Sequence, residues 1–243
     1  MADRNVAIVT GGASGIGAET CRQMLHAGYE VVSLALRKPD WSHHRLHAIE
    51  VDLLDGAATA AVAADVAARF TVTHVVHNAG AIRPALLPDV KESDLHALTQ
   101  LHLGAPLLIV QAVLPRMIAE SFGRIVLISS RGALGLETRS AYAATKAGMM
   151  GLARTWALEL AANGITVNVI APGPIGDTEM FRAVIPEGSE REAALAKAIP
   201  VKRIGRSDDV ARAVMFFASR ENSFVTGQTL YVCGGASVGT ITI

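Results

Sequence analysis

Apolar residues run along this chain in two alternating rhythms. Short runs, apolar at nearly every position and rich in Val and Ile, predict strands at Val6–Thr10, Val31–Ala35, His47–Val51, His74–His77, Arg124–Ser129, Thr166–Ile170 and Gln228–Val232. Longer stretches with helical spacing predict helices at Gly17–Ala27, Ala57–Phe70, Ser93–Pro115, Ser140–Asn163 and Asp208–Ala218. Strands that lack polar alternation are buried on both faces, and the helices between them serve as crossovers. The pattern therefore predicts the α/β class, a doubly wound parallel sheet with helices on both faces. No linker, repeat or low-complexity tract interrupts the 243 residues, so one domain is expected over 1–243. One long irregular stretch, 172–206, falls between the sixth strand and a late helix. A loop of that length in a compact domain reads as a substrate-binding lid.

Charge removes several function classes. Lys+Arg and Asp+Glu are equal at 22 each, so no basic footprint points to nucleic acid or an anionic membrane. The longest apolar stretches, such as Ala105 to Leu114, are interrupted by Pro106 and Gln111 and read as too short to span a bilayer. A core strand beginning near Asn5 leaves no room for a signal peptide. Cys21 and Cys233 match no metal or redox spacing, and His43, His44 and His47 beside Trp41 read as a surface connection. A reduced, cytoplasmic enzyme without a metal is expected, with no membrane and no nucleic acid as partner.

Candidate chemistry begins at Thr10-Gly11-Gly12-Ala13-Ser14-Gly15-Ile16-Gly17, which leaves the first strand and opens the first helix. Glycine permits a tight turn and close approach of the backbone to a pyrophosphate, which the helix N-terminus then stabilises. Further on, Tyr142 and Lys146 are four residues apart and share one helix face. An ammonium beside a phenol favours the phenolate, so Tyr142 is expected to have a lowered pKa and to act as general acid or base.

With its G-x-x-x-G-x-G spacing, the sequence resembles the classical short-chain dehydrogenase/reductase family over essentially its whole length. Other marks follow in order: His77-Asn78-Ala79-Gly80, Ser129-Ser130, Tyr142-x-x-x-Lys146, Pro172-Gly173-Pro174-Ile175 and Gly234-Gly235. The resemblance implies a Rossmann-type fold and a nicotinamide coenzyme. It implies coenzyme contacts from Gly11, Ser14, Gly15, Ile16 and Gly17, and from Asp52 and Leu53 at the adenine. Asn78, Ala79 and Gly80 would line the site, and Pro172, Gly173, Ile175 and Thr178 would lie near the nicotinamide. Ser130, rather than its neighbour Ser129, would hydrogen-bond the substrate oxygen, Tyr142 would transfer the proton, and Lys146 would hold the ribose. Many relatives carry an asparagine where this chain has His102. Histidine could relay protons there, or could simply pack while a backbone carbonyl holds water.

Coenzyme choice is read at the end of the second strand, where NAD-preferring relatives carry an acid. Here Ala35, Leu36 and Arg37 stand there, so NADP is favoured over NAD, with Arg37 on the 2′-phosphate. Ser14, where some NADP-preferring relatives are basic, argues the other way. Arg131 could reach an anionic substrate, and Phe181, Val184 and Ile185 suggest an apolar pocket. The expected reaction interconverts a secondary alcohol and a ketone. The alternatives are 3-oxoacyl-thioester reduction and a non-catalytic nucleotide-binding regulatory role. Met149, Met150, Leu152, Trp156 and Leu160 widen the apolar surface of the Tyr142 helix. With the helix before it and the 234–243 tail, this predicts a homotetramer.

Overall fold

The computed structural model describes residues 5–238. Strands β1 (Val6–Thr10), β2 (Glu30–Ala35), β3 (Leu46–Glu50), β4 (Val72–His77), β5 (Gly123–Ile128), β6 (Ile165–Pro172) and β7 (Thr229–Val232) form a parallel sheet in the order β3-β2-β1-β4-β5-β6-β7. The order reverses between β1 and β4, which opens a crevice at their carboxyl ends. Every residue of β1, β4, β5 and β6 is buried, as strands covered on both faces must be.

Helices cover both faces. On one side α1 (Gly15–His26) packs on α8 (Ser207–Ala218), with Met24, Val210, Val214 and Phe217 against the sheet. On the other lie α2 (Gly56–Arg69), α3 (Glu92–Thr99), α4 (Ala105–Ala119) and α5 (Ser140–Leu160), with Val66, Ile109, Val113, Met149 and Trp156 in the core.

Three expectations need correction. The helix expected over Ser93–Pro115 runs from Glu92 to Ala119, and its middle, Gln100–Gly104, is a π-turn. Ala105 donates to the Gln100 carbonyl there, and Pro106 has no N–H to return to His102. This helix is long and apolar enough to cross a bilayer, contrary to the expectation of too short a stretch. Its apolar residues Leu98, Leu101, Ile109, Val110, Val113 and Met117 are instead buried in the protein.

Second, 172–206 is not irregular throughout. It contains α6 (Glu179–Arg182) and α7 (Glu190–Ala198), each capped by a hydroxyl, Thr178 for Phe181 N–H and Ser189 for Glu192 N–H. Third, Met149, Trp156 and Leu160 belong to the monomer's own core, and Met150 and Leu152 pack partly against it. The large apolar side chains left exposed on these helices are Leu95, Leu107, Ile118 and Leu158. Of the tail expected to make a second contact, 239–243 lies outside the described residues.

Candidate active site

At the crevice, the turn after β1 is held from below. The Thr10 hydroxyl accepts the N–H groups of Asn78 (3.0 Å) and Ala79 (2.9 Å), so its own proton goes to His77 Nδ1 at 3.0 Å. His77 Nε2 then donates to the Leu101 carbonyl, which the π-turn has released from the helical ladder. Asn78 Nδ2 donates to the Thr10 carbonyl at 3.1 Å and thereby fixes the path into Gly11.

Gly11 has φ +66°, and a Cβ on Gly17 would sit 2.1 Å from the Gly11 carbonyl oxygen. Both positions therefore require glycine. Ser14 caps α1 by backbone alone, with no side chain on the first-turn N–H groups and no acidic residue there. These N–H groups point out of the helix start unpaired within it. A pyrophosphate fits that cradle, because it needs donors, positive helix-end potential and no Cβ in its path.

The residues expected at the second strand's end and at the adenine follow β2 and β3. Ala35 ends β2, and Leu36 and Arg37 behind it are exposed. Asp52 spends one carboxylate oxygen on Leu54 N–H, whereas Leu53 is buried. Thr178 donates to the Ile175 carbonyl (2.9 Å), and its side chain lies against Gly15. The Pro172–Ile175 turn is pinned by Gly173 N–H to the Val232 carbonyl and by Gly205 N–H to the Pro174 carbonyl. Arg37 forms an ion pair with Glu179, the first residue of α6, across the crevice. The hollow lined by Ser189, Glu192, Lys202 and Arg203 lies on α7, away from the crevice.

The two serines after β5 separate cleanly. Ser129 is buried and donates to the Lys146 carbonyl at 2.7 Å. Ser130 accepts from Gly132 N–H (2.9 Å), and its side chain stands beside the Tyr142 hydroxyl. Tyr142 is buried on the first turn of α5, and Lys146 one turn later is buried with it. Lys146 Nζ donates to the Ile128 carbonyl at 2.7 Å, and burial pulls its pKa down to about 7.

The expected lowering of the Tyr142 pKa is not found. Burial raises it, and this outweighs the opposing effects of Ser130 and Arg139. Lys146 Nζ donates to the Ile128 carbonyl and lies over the Tyr142 ring, 5.8 Å from its centre.

His102 sits in the π-turn, fully buried, with its ring edge-on to Tyr142 at 5.7 Å. Its Nε2 accepts from Ala81 N–H (3.3 Å), so Nδ1 carries the proton and donates to Thr145 Oγ1 at 2.8 Å. Thr145 passes its own proton to the Ala141 carbonyl (2.9 Å). Burial, and after it the positive charge of nearby Lys146, lowers the His102 pKa and holds the ring neutral. Thr145 was not singled out from sequence, because a threonine inside a helix carries no local signal, and His77 stood there only as part of the His77-Asn78-Ala79-Gly80 mark, with no role read for it.

Among the described residues no group of three or more His, Cys, Asp or Glu is placed to hold a metal. Residues 11–237 match the family model described as enoyl-(acyl carrier protein) reductase. The chain is 33% identical, over 95% of its length and 96% of the relative's, to the 3-oxoacyl-(acyl-carrier-protein) reductase of Salmonella typhimurium. It is 35% identical, over 96% of each chain, to a hydroxy(phenyl)methylsuccinyl-CoA dehydrogenase subunit of Thauera aromatica. Its fold superposes with a TM-score of 0.86, at 32% identity and covering 95% and 96% of the two chains, on a structure from Beutenbergia cavernae. That structure is described as an NAD(P)-dependent gluconate 5-dehydrogenase with bound NADP. Matched by a family model across nearly its whole length, and by relatives that are oxidoreductases end to end, this chain belongs to the short-chain dehydrogenase/reductase family and is an NAD(P)-dependent oxidoreductase.

Proposed function

We propose that this protein interconverts a ketone and a secondary alcohol with NADP as the preferred coenzyme. The observation that carries the reading is the Tyr142 hydroxyl, buried beside Ser130 and one helical turn from Lys146 at the mouth of the crevice. A bound nicotinamide supplies or receives the hydride. The Gly15–Gly17 helix start would hold the pyrophosphate, and Asp52 and Leu53 would line the adenine side. Asn78, Ala79, Gly80, Pro172, Gly173, Ile175 and Thr178 would border the nicotinamide half, and Arg37 would take the 2′-phosphate.

Ser130 orients the substrate oxygen, Tyr142 donates its phenolic proton during reduction and recovers it during oxidation, and Lys146 holds the ribose. A raised Tyr142 pKa keeps the phenol protonated at neutral pH, which suits the acid role in reduction. His102 is a positioning residue, because its two ring nitrogens are already engaged by Ala81 and Thr145.

Exposed Leu86, Leu87, Leu134, Leu136, Met180 and Val184 give the loops around Tyr142 and α6 an apolar character. This favours a bulky apolar carbonyl compound, and a 3-oxoacyl thioester is the second reading because both curated relatives act on thioesters. The chain works as one catalytic domain over 1–243, with 172–206 as lid. Cys21 and Cys233, both free and buried, are compatible with the reducing cytoplasm assigned here. The assembly assigned is a homotetramer.

Tyr142→Phe tests the reading. NADPH oxidation is followed against cyclic ketones, aryl ketones and 3-oxoacyl thioesters. Turnover falls at least ~100-fold with coenzyme affinity nearly intact, as loss of general acid catalysis alone requires. A variant that keeps more than about a tenth of the wild-type rate overturns the assignment.

A further inference from the structure

Arg37 and Glu179 are 142 residues apart in sequence and meet over the crevice. Arg37 follows β2, on one side of the point where the strand order reverses, whereas Glu179 follows β6, on the other. Glu179 opens α6, and the residue before it, Thr178, already rests against Gly15 of the phosphate cradle. On its far side the same segment is tied down, with Asp177 accepting from both the backbone N–H and the hydroxyl of Ser207. The Arg37–Glu179 pair therefore closes the near side of α6 onto the coenzyme cleft.

We infer that Glu179 is a specificity-determining residue that competes with the coenzyme 2′-phosphate for Arg37. The inference rests on Arg37 being the phosphate-binding residue proposed above. Both side chains are about two-thirds exposed, at 62% and 66%, so the pair exchanges readily and is worth little in itself. Its effect on selectivity is larger than its effect on stability, because a 2′-phosphate must displace the Glu179 carboxylate and then lie beside a like charge. A coenzyme with a free 2′-hydroxyl leaves the pair intact and α6 latched. Glu179 thus weakens NADP binding selectively and narrows the preference that Arg37 creates.

The experiment measures Kd for NADP and for NAD by titration calorimetry, without substrate, on wild type, Glu179→Gln, Arg37→Ala and the double variant. At low ionic strength Glu179→Gln tightens NADP about three- to tenfold and leaves NAD within twofold, from the exposed-pair energy plus relief of repulsion. The gain shrinks at high salt and vanishes in the Arg37→Ala background. If Arg37→Ala weakens NADP but Glu179→Gln does not tighten it, the inference falls and the NADP reading stands. If Arg37→Ala changes neither constant, both fall.

Discussion

Lys146 Nζ donates to the Ile128 carbonyl 2.7 Å away, joining α5 to the carboxyl end of β5. Burial holds this lysine down at a pKa of about 7, far below its ordinary 10.5. Between those values the unfolded chain binds a proton that the folded protein does not. Stability therefore rises with pH across that window, and the penalty is full below about 7. Lys146→Met removes it. The variant is more stable than wild type at pH 7, and the gap narrows by on the order of 1 kcal/mol per pH unit towards pH 9. Urea unfolding at pH 7, 8 and 9 measures this, and a gap that stays constant contradicts it.

Histidines set the acid limit. His74 bridges Thr73 Oγ1 and the Ala218 carbonyl between Tyr29 and Phe122, and burial lowers its pKa to about 3, as it does for His77. His102 is lowered too. For each, the unfolded chain takes up a proton below about 6.5 that the folded protein refuses, so stability falls as pH drops from 6.5. Each imidazole contributes up to ~1.4 kcal/mol per pH unit. His74→Phe lies away from Tyr142, and it makes the fall between pH 6 and 5 shallower by about that amount. Equal slopes in denaturant unfolding would disprove the assignment.

Much of the crevice was readable in the sequence because its elements are local. The glycine spacing dictates a turn that only glycine can make, and the four-residue step from Tyr142 to Lys146 fixes a shared helix face. What sequence could not supply was long-range. Ser130 was preferred to Ser129 by resemblance alone, and the physical reason becomes visible only where the Lys146 carbonyl claims the Ser129 hydroxyl. The π-turn depends on Pro106 breaking a ladder inside an otherwise even apolar pattern, and on His77 taking the freed Leu101 carbonyl. Burial of Tyr142 reversed the pKa direction expected from its neighbour alone. The α7 signal was local, however, since Ser189 with Glu192 is a helix-start spacing within the stretch read as loop.

Thr145 links His102 to α5, and Thr145→Val keeps the shape while leaving the His102 Nδ1–H without its acceptor. A buried donor left unpaired costs about 1–3 kcal/mol. The variant loses stability in that range, and kcat falls severalfold while NADP affinity and substrate KM stay within twofold, because only the packing behind Tyr142 changes. Thr145→Ser restores both. An unchanged kcat in Thr145→Val would show that His102 positions nothing.

Assembly is the remaining prediction, and it rests on less surface than the sequence suggested. With Met149, Trp156 and Leu160 buried in the monomer, the outward apolar side chains of α4 and α5 are Leu107, Ile118 and Leu158, the last 86% exposed. A leucine that exposed on a helix otherwise committed to the core gains about 1.5–3 kcal/mol if a second copy covers it. A two-fold interface is self-complementary, so the same patch on each copy supplies both halves of the contact. Phe224 before β7, Leu230 within it and Val238 after it are also exposed and offer further apolar surface. Together these surfaces build a closed tetramer of about 100 kDa from chains of 25.4 kDa. Light scattering at micromolar concentration reads the mass directly. Leu158→Glu puts a charge on the α5 surface and yields a smaller species that remains folded by circular dichroism. A wild-type mass near 25 kDa overturns the assembly, and a dimer that Leu158→Glu does not dissociate removes α5 from the interface.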